Sequence, residues 1–337
     1  MGDPWVAAEQ ICGLYRLVVT SPGTTRALRG VSARGRADPS GGVPVPLRGV
    51  GAGRGMGEDE GVNHARAVPP RIIATDLDGT LLRSDGTVSE RTQAALTLAE
   101  GAGLCIVFVT GRPPRWMEVV STVTGPHGIA ICSNGGAVYD VRRKELVASF
   151  PLRRQDALAV VGALRAELPG VGFAFEYPDG FASEARYDSP MWDDSGALRW
   201  IAPAEEILAS DAGDQVFKLL ARHPTLEPDE FMRRARAVAG QYAEITRSSP
   251  MLEISASGVS KATTLAQWCA ERGVTAEEVV AFGDMPNDLP MLAWAGTAYA
   301  VANAHPLVLA ATANHAADHD EDGVAEVIER VVRSLRA

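Results

Sequence analysis

The chain contains the stretch Arg71-Ile72-Ile73-Ala74-Thr75-Asp76-Leu77-Asp78-Gly79-Thr80. Its first five residues form an apolar run with β-branched side chains, which predicts a buried strand. Asp76 and Asp78 follow where this strand ends, and ligands bind at that edge of open α/β sheets. Carboxylates in this position can hold a hard cation through oxygen, and one can act as a nucleophile while the other moves protons. The stretch therefore indicates phosphate chemistry.

Composition limits the partners of the chain. It has 337 residues, a soft indication of two or more domains, and a formal net charge of −10. An acidic chain is a poor partner for nucleic acid or for an anionic membrane surface. No apolar stretch is long enough to span a bilayer, and no signal peptide is expected. We therefore predict a cytoplasmic protein that binds a small phosphorylated metabolite; the sequence says nothing about its oligomeric state.

Lysine is rare in this chain. Only Lys144, Lys218 and Lys261 occur, and the other 29 of the 32 basic residues are arginine. A lysine kept in such a chain indicates a place where a compact ammonium is needed. Lys144 lies in a predicted hairpin turn, where chance explains it better.

The chain divides into three regions. Strands and helices alternate along residues 71–151 and 258–337, which predicts an α/β core domain with a parallel sheet and helices on both faces. Residues 152–257 mix helical and strand patterns, and they are predicted to be an inserted α+β cap domain. Residues 1–70 are rich in Gly, Pro, Ser and Arg without sustained periodicity, so we expect a disordered N-terminal extension. One hypothesis is that the natural protein starts near Met56 or Val68.

Three further polar segments accompany the pair Asp76 and Asp78, each following a predicted strand or turn. Thr110-Gly111-Arg112 follows the strand of residues 104–109, and its hydroxyl and backbone N–H groups suit phosphate oxygens. Lys261 begins a helix, whose positive end adds to its ammonium in neutralising a phosphoryl group. The segment Gly283-Asp284-Met285-Pro286-Asn287-Asp288 follows the strand of residues 279–282 and adds carboxylates and an amide. Each segment alone is a weak signal, but four in this order are a strong one.

This set of motifs resembles the haloacid dehalogenase superfamily, in particular the Cof-type phosphatases of subclass IIB, which carry the larger inserted cap. The resemblance extends over about residues 72–335, and the run GDMPNDLPML at residues 283–292 is very similar to the last motif of the family. Asn303-Ala304 and Asp322-Gly323-Val324-Ala325 resemble its C-terminal pattern, whereas Ala262 stands where many members have Gly. The resemblance implies a Rossmann-like, doubly wound core and a Mg²⁺-dependent phosphatase acting on sugar phosphates or phosphorylated cofactors.

The resemblance also implies a role for each motif residue. Asp76 would attack phosphorus and form an aspartyl-phosphate, and Asp78 would protonate the leaving alkoxide and then deprotonate the attacking water. Mg²⁺ would be held by a carboxylate oxygen of Asp76, the backbone carbonyl of Asp78 and Asp284, with Asp288 as an indirect or water-mediated ligand. The phosphoryl group in transfer would be bound by Thr110, Gly111, Lys261 and Asn287.

Contacts to the leaving group are expected from both predicted domains. In the core, the candidates are Arg112, Asn134 and Gly135. The inserted segment would close over the site and exclude water. Lys218 alternates with apolar neighbours in a predicted strand, so a solvent-facing position fits it equally well. The candidates from the inserted segment are Glu176, Tyr177, Arg186, Tyr187 and Lys218.

Two other functions stay open. One is a phosphotransferase or mutase that passes the phosphoryl group to a sugar hydroxyl, which product analysis would distinguish from hydrolysis. The other is a non-catalytic protein that binds a phosphorylated ligand; intact charged motif positions make it the weaker alternative. The acidic run from His315 to Asp322 is expected to be a solvated loop rather than a metal site.

Overall fold

The computed structural model describes residues 68–125, 128–187, 198–247 and 250–336. Residues 1–67 of the predicted extension lie outside the described residues. The described part of the chain forms two β-sheets, one of eight strands and one of six. None of its helices is long and apolar enough to cross a bilayer.

Fourteen strands are found within these described residues. They are β1 (Ile72–Thr75), β2 (Cys105–Val109), β3 (Ile129–Cys132), β4 (Ala137–Asp140), β5 (Glu145–Ser149), β6 (Gly172–Glu176), β7 (Gly180–Ser183), β8 (Leu198–Ile201), β9 (Lys218–Arg222), β10 (Ala243–Thr246), β11 (Leu252–Ala256), β12 (Val279–Gly283), β13 (Thr297–Val301) and β14 (Asn314–Ala316). The α-helices described are α1 (Glu90–Gly101), α2 (Glu118–Ser121), α3 (Arg154–Glu167), α4 (Ala204–Ala209), α5 (Pro228–Ala239), α6 (Lys261–Ala270), α7 (Leu289–Trp294), α8 (Pro306–Ala311) and α9 (Gly323–Arg336).

The eight-stranded sheet has the spatial order β14-β13-β12-β1-β2-β3-β4-β5. Its strands from β14 to β3 pair in parallel, and the hairpin of β4 and β5 adds two antiparallel strands at one edge. The chain leaves β1 for β2 on one side and returns as β12 on the other. The carboxyl end of β1 is therefore a topological switch point, where ligands bind in folds of this kind.

Burial explains the apolar sequences of the central strands. Every residue of β1, β2 and β12 is buried, as is usual for parallel strands covered on both faces. Helices α1 and α9 pack against each other beside this sheet. Ser89 caps α1: its hydroxyl oxygen accepts a hydrogen bond of 3.0 Å from the backbone N–H of Thr92.

The six-stranded sheet has the order β10-β11-β9-β6-β7-β8 and lies within the segment between β5 and α6, which we call the insert (residues 152–257). All its strand pairs are antiparallel except that of β7 and β8. One face packs against α3, α4 and α5 and is apolar, with Phe175, Leu219, Ile245 and Ile254 in its cluster.

The other face of this sheet carries most of the polar side chains of its strands. Successive side chains of a strand point to opposite faces, so the neighbours of the apolar residues lie here. Register pairs Glu176 with Lys218, Glu244 with Ser255, and Thr246 with Glu253. We call these six residues the polar face of the insert. Their strands β6, β9, β11 and β10 are adjacent, so they form a continuous stripe.

Two local predictions differ from the structure. Residues 113–123 are predicted as one helix, but the chain forms a 3₁₀ turn, Pro114–Trp116, followed by the four-residue helix α2. Val119, Val120 and Thr122 are β-branched and favour a helix less than straight side chains do. The sequence patterns also fail to reveal five short elements, because segments of three to six residues hold too few periods. These are β7, β8, α4, α8 and β14.

Candidate active site

Asp76 lies at the end of β1, where the loop that follows is fixed to the neighbouring strand. Its backbone N–H donates to the carbonyl of Phe282 in β12 at 3.1 Å, and its side chain is nearly buried. Gly79 continues this loop with a φ of +77°, and a Cβ there would lie 2.5 Å from a carboxylate oxygen of Asp284. Only glycine combines that backbone with that close approach. The glycine of the Asp-x-Asp-Gly motif thus allows the loop after β1 to pack against the loop after β12.

Lys261 is the buried cation of the site. Its Nζ lies 2.9 Å from Oδ1 of Asp76 and 2.7 Å from Oδ1 of Asp288. Ser260 caps α6 through a capping box with Thr263, which places Lys261 in the first turn. Burial alone would lower the pKa of this ammonium, but the two carboxylates outweigh burial and raise it above its usual value. Lys261 therefore carries its charge at every physiological pH.

A third carboxylate, that of Asp284, joins the two that pair with this ammonium. Asp76, Asp284 and Asp288 each offer an oxygen within 4.8 Å of the others. Asp284 accepts a hydrogen bond of 2.7 Å from the hydroxyl of Thr80, and Oδ2 of Asp288 accepts from the backbone N–H groups of Asp284 and Met285. These bonds fix the side chains that the motif spacing brought together.

The negative charge of the cluster exceeds its positive charge. Burial raises the pKa of Asp76 well above its usual value; Lys261 opposes this effect, and the charges of Asp288 and Asp284 add to it. Burial and the charge of Asp288 raise the pKa of Asp284 to about 6. A hard divalent cation with oxygen ligands would remove this repulsion, and the donor set fits one.

The structure does not bring the Asp78 carboxylate into this cluster. The side chain is 57% exposed, and its two oxygens accept from Nε and Nη2 of Arg112 at 2.7 and 2.5 Å. Arg112 was predicted as a substrate contact, but here its guanidinium forms a two-bond fork on Asp78. This geometry is the strong form of a carboxylate pair.

The loop after β2 and the turn after β3 are joined by their backbones. The N–H of Asn134 donates to the carbonyl of Thr110 at 3.0 Å, and the N–H of Ser133 donates to the carbonyl of Arg112 at 2.9 Å. The Thr110 hydroxyl is buried and accepts from the N–H of Arg112 at 3.0 Å. These backbone bonds therefore join, in one surface, three residues that were predicted separately: Thr110, Gly111 and Asn134.

Asn134 adopts a left-handed conformation, with φ of +56°, as does Ser133 with φ of +51°. Gly135 follows with φ of +106°, and a Cβ there would lie 2.5 Å from the carbonyl oxygen of Ser260. Such backbone conformations are costly and cluster at functional sites. The turn brings Oδ1 of Asn134 to 3.3 Å from Nδ2 of Asn287, so two predicted residues from different motifs meet.

The polar face of the insert reaches this surface. Nζ of Lys218 donates to the carbonyl of Gly111 at 2.7 Å and to Oε1 of Glu253 at 2.8 Å. Glu176 accepts from the hydroxyl of Ser133 at 2.9 Å. The solvent-facing alternative for Lys218 is thus wrong: its side chain is 4% exposed. Burial opposes the charged form of Lys218, but Glu176 and Glu253 outweigh burial and raise its pKa.

The other insert candidates lie elsewhere. Tyr177 packs in the apolar cluster of the insert, and its hydroxyl has no hydrogen-bond partner among the described residues. Tyr187 donates to the Met251 sulfur at 3.2 Å. Arg186 is exposed. The structure gives none of the three a contact with the carboxylate cluster.

The acidic run near the C-terminus has structural contacts. Its first part is the strand β14 rather than a loop, because Asn314–Ala316 pairs with β13. His319 contacts the carbonyl of Leu82 through Nδ1 at 2.8 Å, and Asp320 accepts from the hydroxyl of Ser84 at 2.6 Å. These contacts hold the loop that follows Thr80, so His319 and Asp320 have a structural role.

Sequence reasoning missed several residues that support the site. Thr80 orients Asp284, and Asn303 donates to the carbonyl of Gly79 at 2.7 Å. Both lie in motifs quoted from the sequence, but no role was derived for them. Ser133 of the core donates to Glu176 of the insert, and Glu253 accepts from Lys218 within the insert. No local pattern could have marked either residue.

Comparison with known proteins identifies the family. A family model described as haloacid dehalogenase-like hydrolase matches residues 73–328. The chain belongs to this family. Pyridoxal phosphate phosphatase YbhA of Escherichia coli is 28% identical over 265 residues, which cover 77% of this chain and 97% of that protein. The 5-amino-6-(5-phospho-D-ribitylamino)uracil phosphatase YcsE of Bacillus subtilis is 27% identical, covering 78% and 96%.

Solved structures agree with this assignment. A haloacid dehalogenase-like hydrolase from Bacteroides thetaiotaomicron matches with a TM-score of 0.63 and 25% identity, over 78% of this chain and 99% of that one. The subclass IIB sugar phosphatase BT4131 shares the fold, with a TM-score of 0.65 and 21% identity over 77% and 98%. The predicted family, the α/β fold and the enzyme class, a hydrolase of the phosphatase type, are confirmed.

Proposed function

We propose that this protein is a Mg²⁺-dependent phosphatase that hydrolyses small organic phosphomonoesters through an aspartyl-phosphate on Asp76. The observation that carries the proposal is the buried group of Asp76, Lys261 and Asp288 at the carboxyl ends of the central strands, with Asp284 beside it. The ammonium 2.9 Å from Asp76 supplies positive charge where an anionic nucleophile must meet an anionic phosphoryl group.

The first step is nucleophilic attack by Asp76. A carboxylate oxygen forms a bond to phosphorus as the bond from phosphorus to the leaving alkoxide breaks. Charge spreads over the phosphoryl oxygens during this transfer, so catalysis depends on positioned donors. The proposed donors are the ammonium of Lys261, the hydroxyl of Thr110, the backbone N–H of Gly111 and the amide of Asn287. Water then attacks the aspartyl-phosphate and releases inorganic phosphate.

Asp78 is the proposed general acid and base. It gives a proton to the leaving alkoxide and takes one from the attacking water. Because Arg112 bonds both oxygens of Asp78, the side chain has one preferred orientation before substrate enters. Arg112 is therefore proposed as a positioning residue for Asp78 rather than as a direct substrate contact.

The proposed metal ligands are the carboxylates of Asp76 and Asp284 and the backbone carbonyl of Asp78. When bound, Mg²⁺ would offset the repulsion between nucleophile and substrate and polarise the phosphoryl oxygens. Thr80 keeps Asp284 oriented by its 2.7 Å hydrogen bond. Asp288 is held by Lys261 and two backbone N–H groups, which fits a supporting position better than direct ligation.

The relatives indicate a broad class of substrate. One is named as acting on pyridoxal phosphate and another on a phosphoribitylaminouracil, so two differing leaving groups are handled by the same family. We propose a small phosphorylated metabolite for this chain as well. We also propose that the insert acts as the cap domain, because its polar face already contacts the loop and turn beside Asp76.

Phosphate release tests the proposal. We expect p-nitrophenyl phosphate and a panel of sugar and cofactor phosphates to release inorganic phosphate with Mg²⁺ and not with EDTA. Asp76→Asn should abolish release, whereas Asp211→Asn, at an exposed position of the insert, should not. Isomerised sugar phosphate without free phosphate would favour a mutase instead. Full activity of Asp76→Asn would remove Asp76 as the nucleophile.

A further inference from the structure

A cavity of about 200 Å³ lies between the insert and the core, next to the carboxylate cluster. Lys261, whose ammonium touches Asp76, forms part of its wall. A group bound there would therefore adjoin the proposed site of attack. Its other polar walls are Asn134, Ser260 and Asn287 from the core and Glu244, Thr246 and Ser255 from the insert.

Strand register explains why the insert side of this cavity is polar. Glu244 of β10 pairs with Ser255 of β11, and Thr246 lies two residues after Glu244, so all three share one face. Ile245 and Ile254, the alternate residues, pack in the apolar cluster on the opposite face. One face of the hairpin thus packs in the apolar core of the insert. The other face, with one carboxylate and two hydroxyls, lines the cavity.

Two buried polar atoms beside this cavity lack partners among the described residues. They are Nδ2 of Asn134 and Oδ1 of Asn287, in side chains with relative exposures of 3% and 8%. Buried donors and acceptors are normally paired, so an unpaired donor beside an unpaired acceptor indicates a ligand group. A hydroxyl can accept from the first and donate to the second. The core side of the cavity is therefore suited to a hydroxyl-bearing ligand.

The charges around the cavity disfavour a second anion. Within the described residues, Glu244 forms no ion pair. Of the described residues that line the cavity, only Lys261 is a cation, and it is already paired with Asp76 and Asp288; Lys218, on the same polar face, is paired with Glu253. A carboxylate or second phosphate on the leaving group would thus meet Glu244 with no cation to neutralise it, whereas an ammonium would be attracted.

We propose that this cavity binds the leaving group of the substrate, and that Glu244 makes it selective for hydroxyl-rich leaving groups that are neutral or carry an amine. Leaving groups with a second anionic group are rejected. This inference rests on the proposed phosphatase function. It adds the charge class of the substrate and one residue that determines it.

Two matched sets of substrates test the proposal. In the first, glucosamine 6-phosphate, glucose 6-phosphate and 6-phosphogluconate differ in the charge of one hexose-derived leaving group. In the second, 2-amino-3-hydroxypropyl phosphate, glycerol 3-phosphate and 3-phosphoglycerate differ in the charge of a three-carbon leaving group. For the full chain with Mg²⁺, we expect kcat/KM to be at least about tenfold higher for the amine than for the carboxylate, the effect of one charge-assisted hydrogen bond.

Glu244→Lys should reverse this order, and the isosteric Glu244→Gln should bring the two values together. Glu206→Lys makes the same charge change on an exposed helix of the insert and should leave the wild-type order. If Glu244→Lys does not fold, Glu244→Gln alone decides the question. An unchanged order in the Glu244 variants overturns the inference.

The remaining outcomes distinguish a failure of this inference from a failure of the proposed phosphatase function. A wild type that hydrolyses p-nitrophenyl phosphate but accepts neither set overturns the inference alone, since the cavity would not receive a hydroxyl- or amine-bearing group. A wild type that also leaves p-nitrophenyl phosphate intact overturns the proposed function, and this inference with it.

Discussion

Lys261 in the core and Lys218 in the insert are both buried, and each ammonium lies within 3.7 Å of two carboxylates. Burial opposes the charge of both, and acidic neighbours raise the pKa of both. The two sites differ in the other groups that surround the ammonium. The same balance between burial and acidic neighbours therefore occurs in two different settings, and the neighbouring groups distinguish them.

The neighbours of Lys261 are carboxylates, which can act as nucleophiles or bind a metal ion. Its partners Asp76 and Asp288 belong to a cluster with Asp284, in which acidic groups outnumber the ammonium. Lys218 instead donates to a backbone carbonyl, that of Gly111, in the loop proposed to bind phosphate. We therefore propose that the core lysine takes part in the chemistry. The insert lysine joins the insert to the loop that is proposed to bind phosphate.

Lys261→Met should have the largest effect. It leaves the buried carboxylates of Asp76 and Asp288 without their ammonium and removes a proposed donor to the phosphoryl group. We expect kcat to fall by at least about 10²–10³-fold for every substrate, including p-nitrophenyl phosphate. Breaking the buried pair should lower the free energy of unfolding by about 3–5 kcal/mol, measured by urea denaturation without metal. A variant that keeps wild-type kcat would show that Lys261 only supports the fold.

Lys218→Met should have a smaller and differently distributed effect. The groups proposed to do the chemistry remain, but the insert loses its bond to the Gly111 carbonyl, and Glu253 loses the ammonium that lies 2.8 Å from its Oε1. We expect kcat/KM to fall by about tenfold, the scale of one hydrogen bond to a charged group. The loss should be larger for substrates whose leaving group fills the cavity than for p-nitrophenyl phosphate.

Lys144→Met is the matched control for this experiment. Lys144 pairs with Glu118 at 3.0 Å, but both side chains are more than 60% exposed. Exposed pairs contribute little, so we expect unchanged kinetics and no measurable change in stability. If Lys218→Met destabilises the protein but leaves all kinetic constants unchanged, its contact with Gly111 serves folding alone.

The sequence predicts the core lysine well because local rules suffice there. Parallel strands bring their carboxyl ends to one edge of a sheet, so motifs after β1, β2 and β12 must meet. Lys261 begins a helix next to that edge, and its capping box marks the helix start. The cluster of Asp76, Asp284 and Asp288 could thus be expected before any coordinates were known.

The insert lysine could not be predicted in the same way. Alternation in β9 shows that Lys218 and Leu219 point to opposite faces, but not which face meets the core. That choice depends on α3, α4 and α5, which cover the apolar face. Contacts such as Ser133 with Glu176 join residues 43 positions apart and need the packed structure. For the same reason, the role of Glu244 emerges only from the cavity.

The pair of Arg112 and Asp78 extends the comparison to an ion pair that is partly exposed. Arg112→Gln should have a smaller effect than Lys261→Met or Lys218→Met. Without the fork, Asp78 keeps its acid group but loses its preferred orientation. General acid catalysis matters most when the leaving group is a poor one. We expect kcat to fall by about tenfold for an alkyl phosphate and to change little for p-nitrophenyl phosphate. Arg91→Gln breaks a similar fork, on Glu329, which joins α1 to α9, and should alter neither.

The ratio between the two substrates decides the role of Arg112. A positioning residue for the acid affects them unequally, because p-nitrophenolate leaves without protonation. A direct contact to the phosphoryl group, which both substrates share, would affect them equally and mainly through KM. Equal losses would therefore restore Arg112 as a substrate contact and make its fork with Asp78 a feature of the free enzyme only.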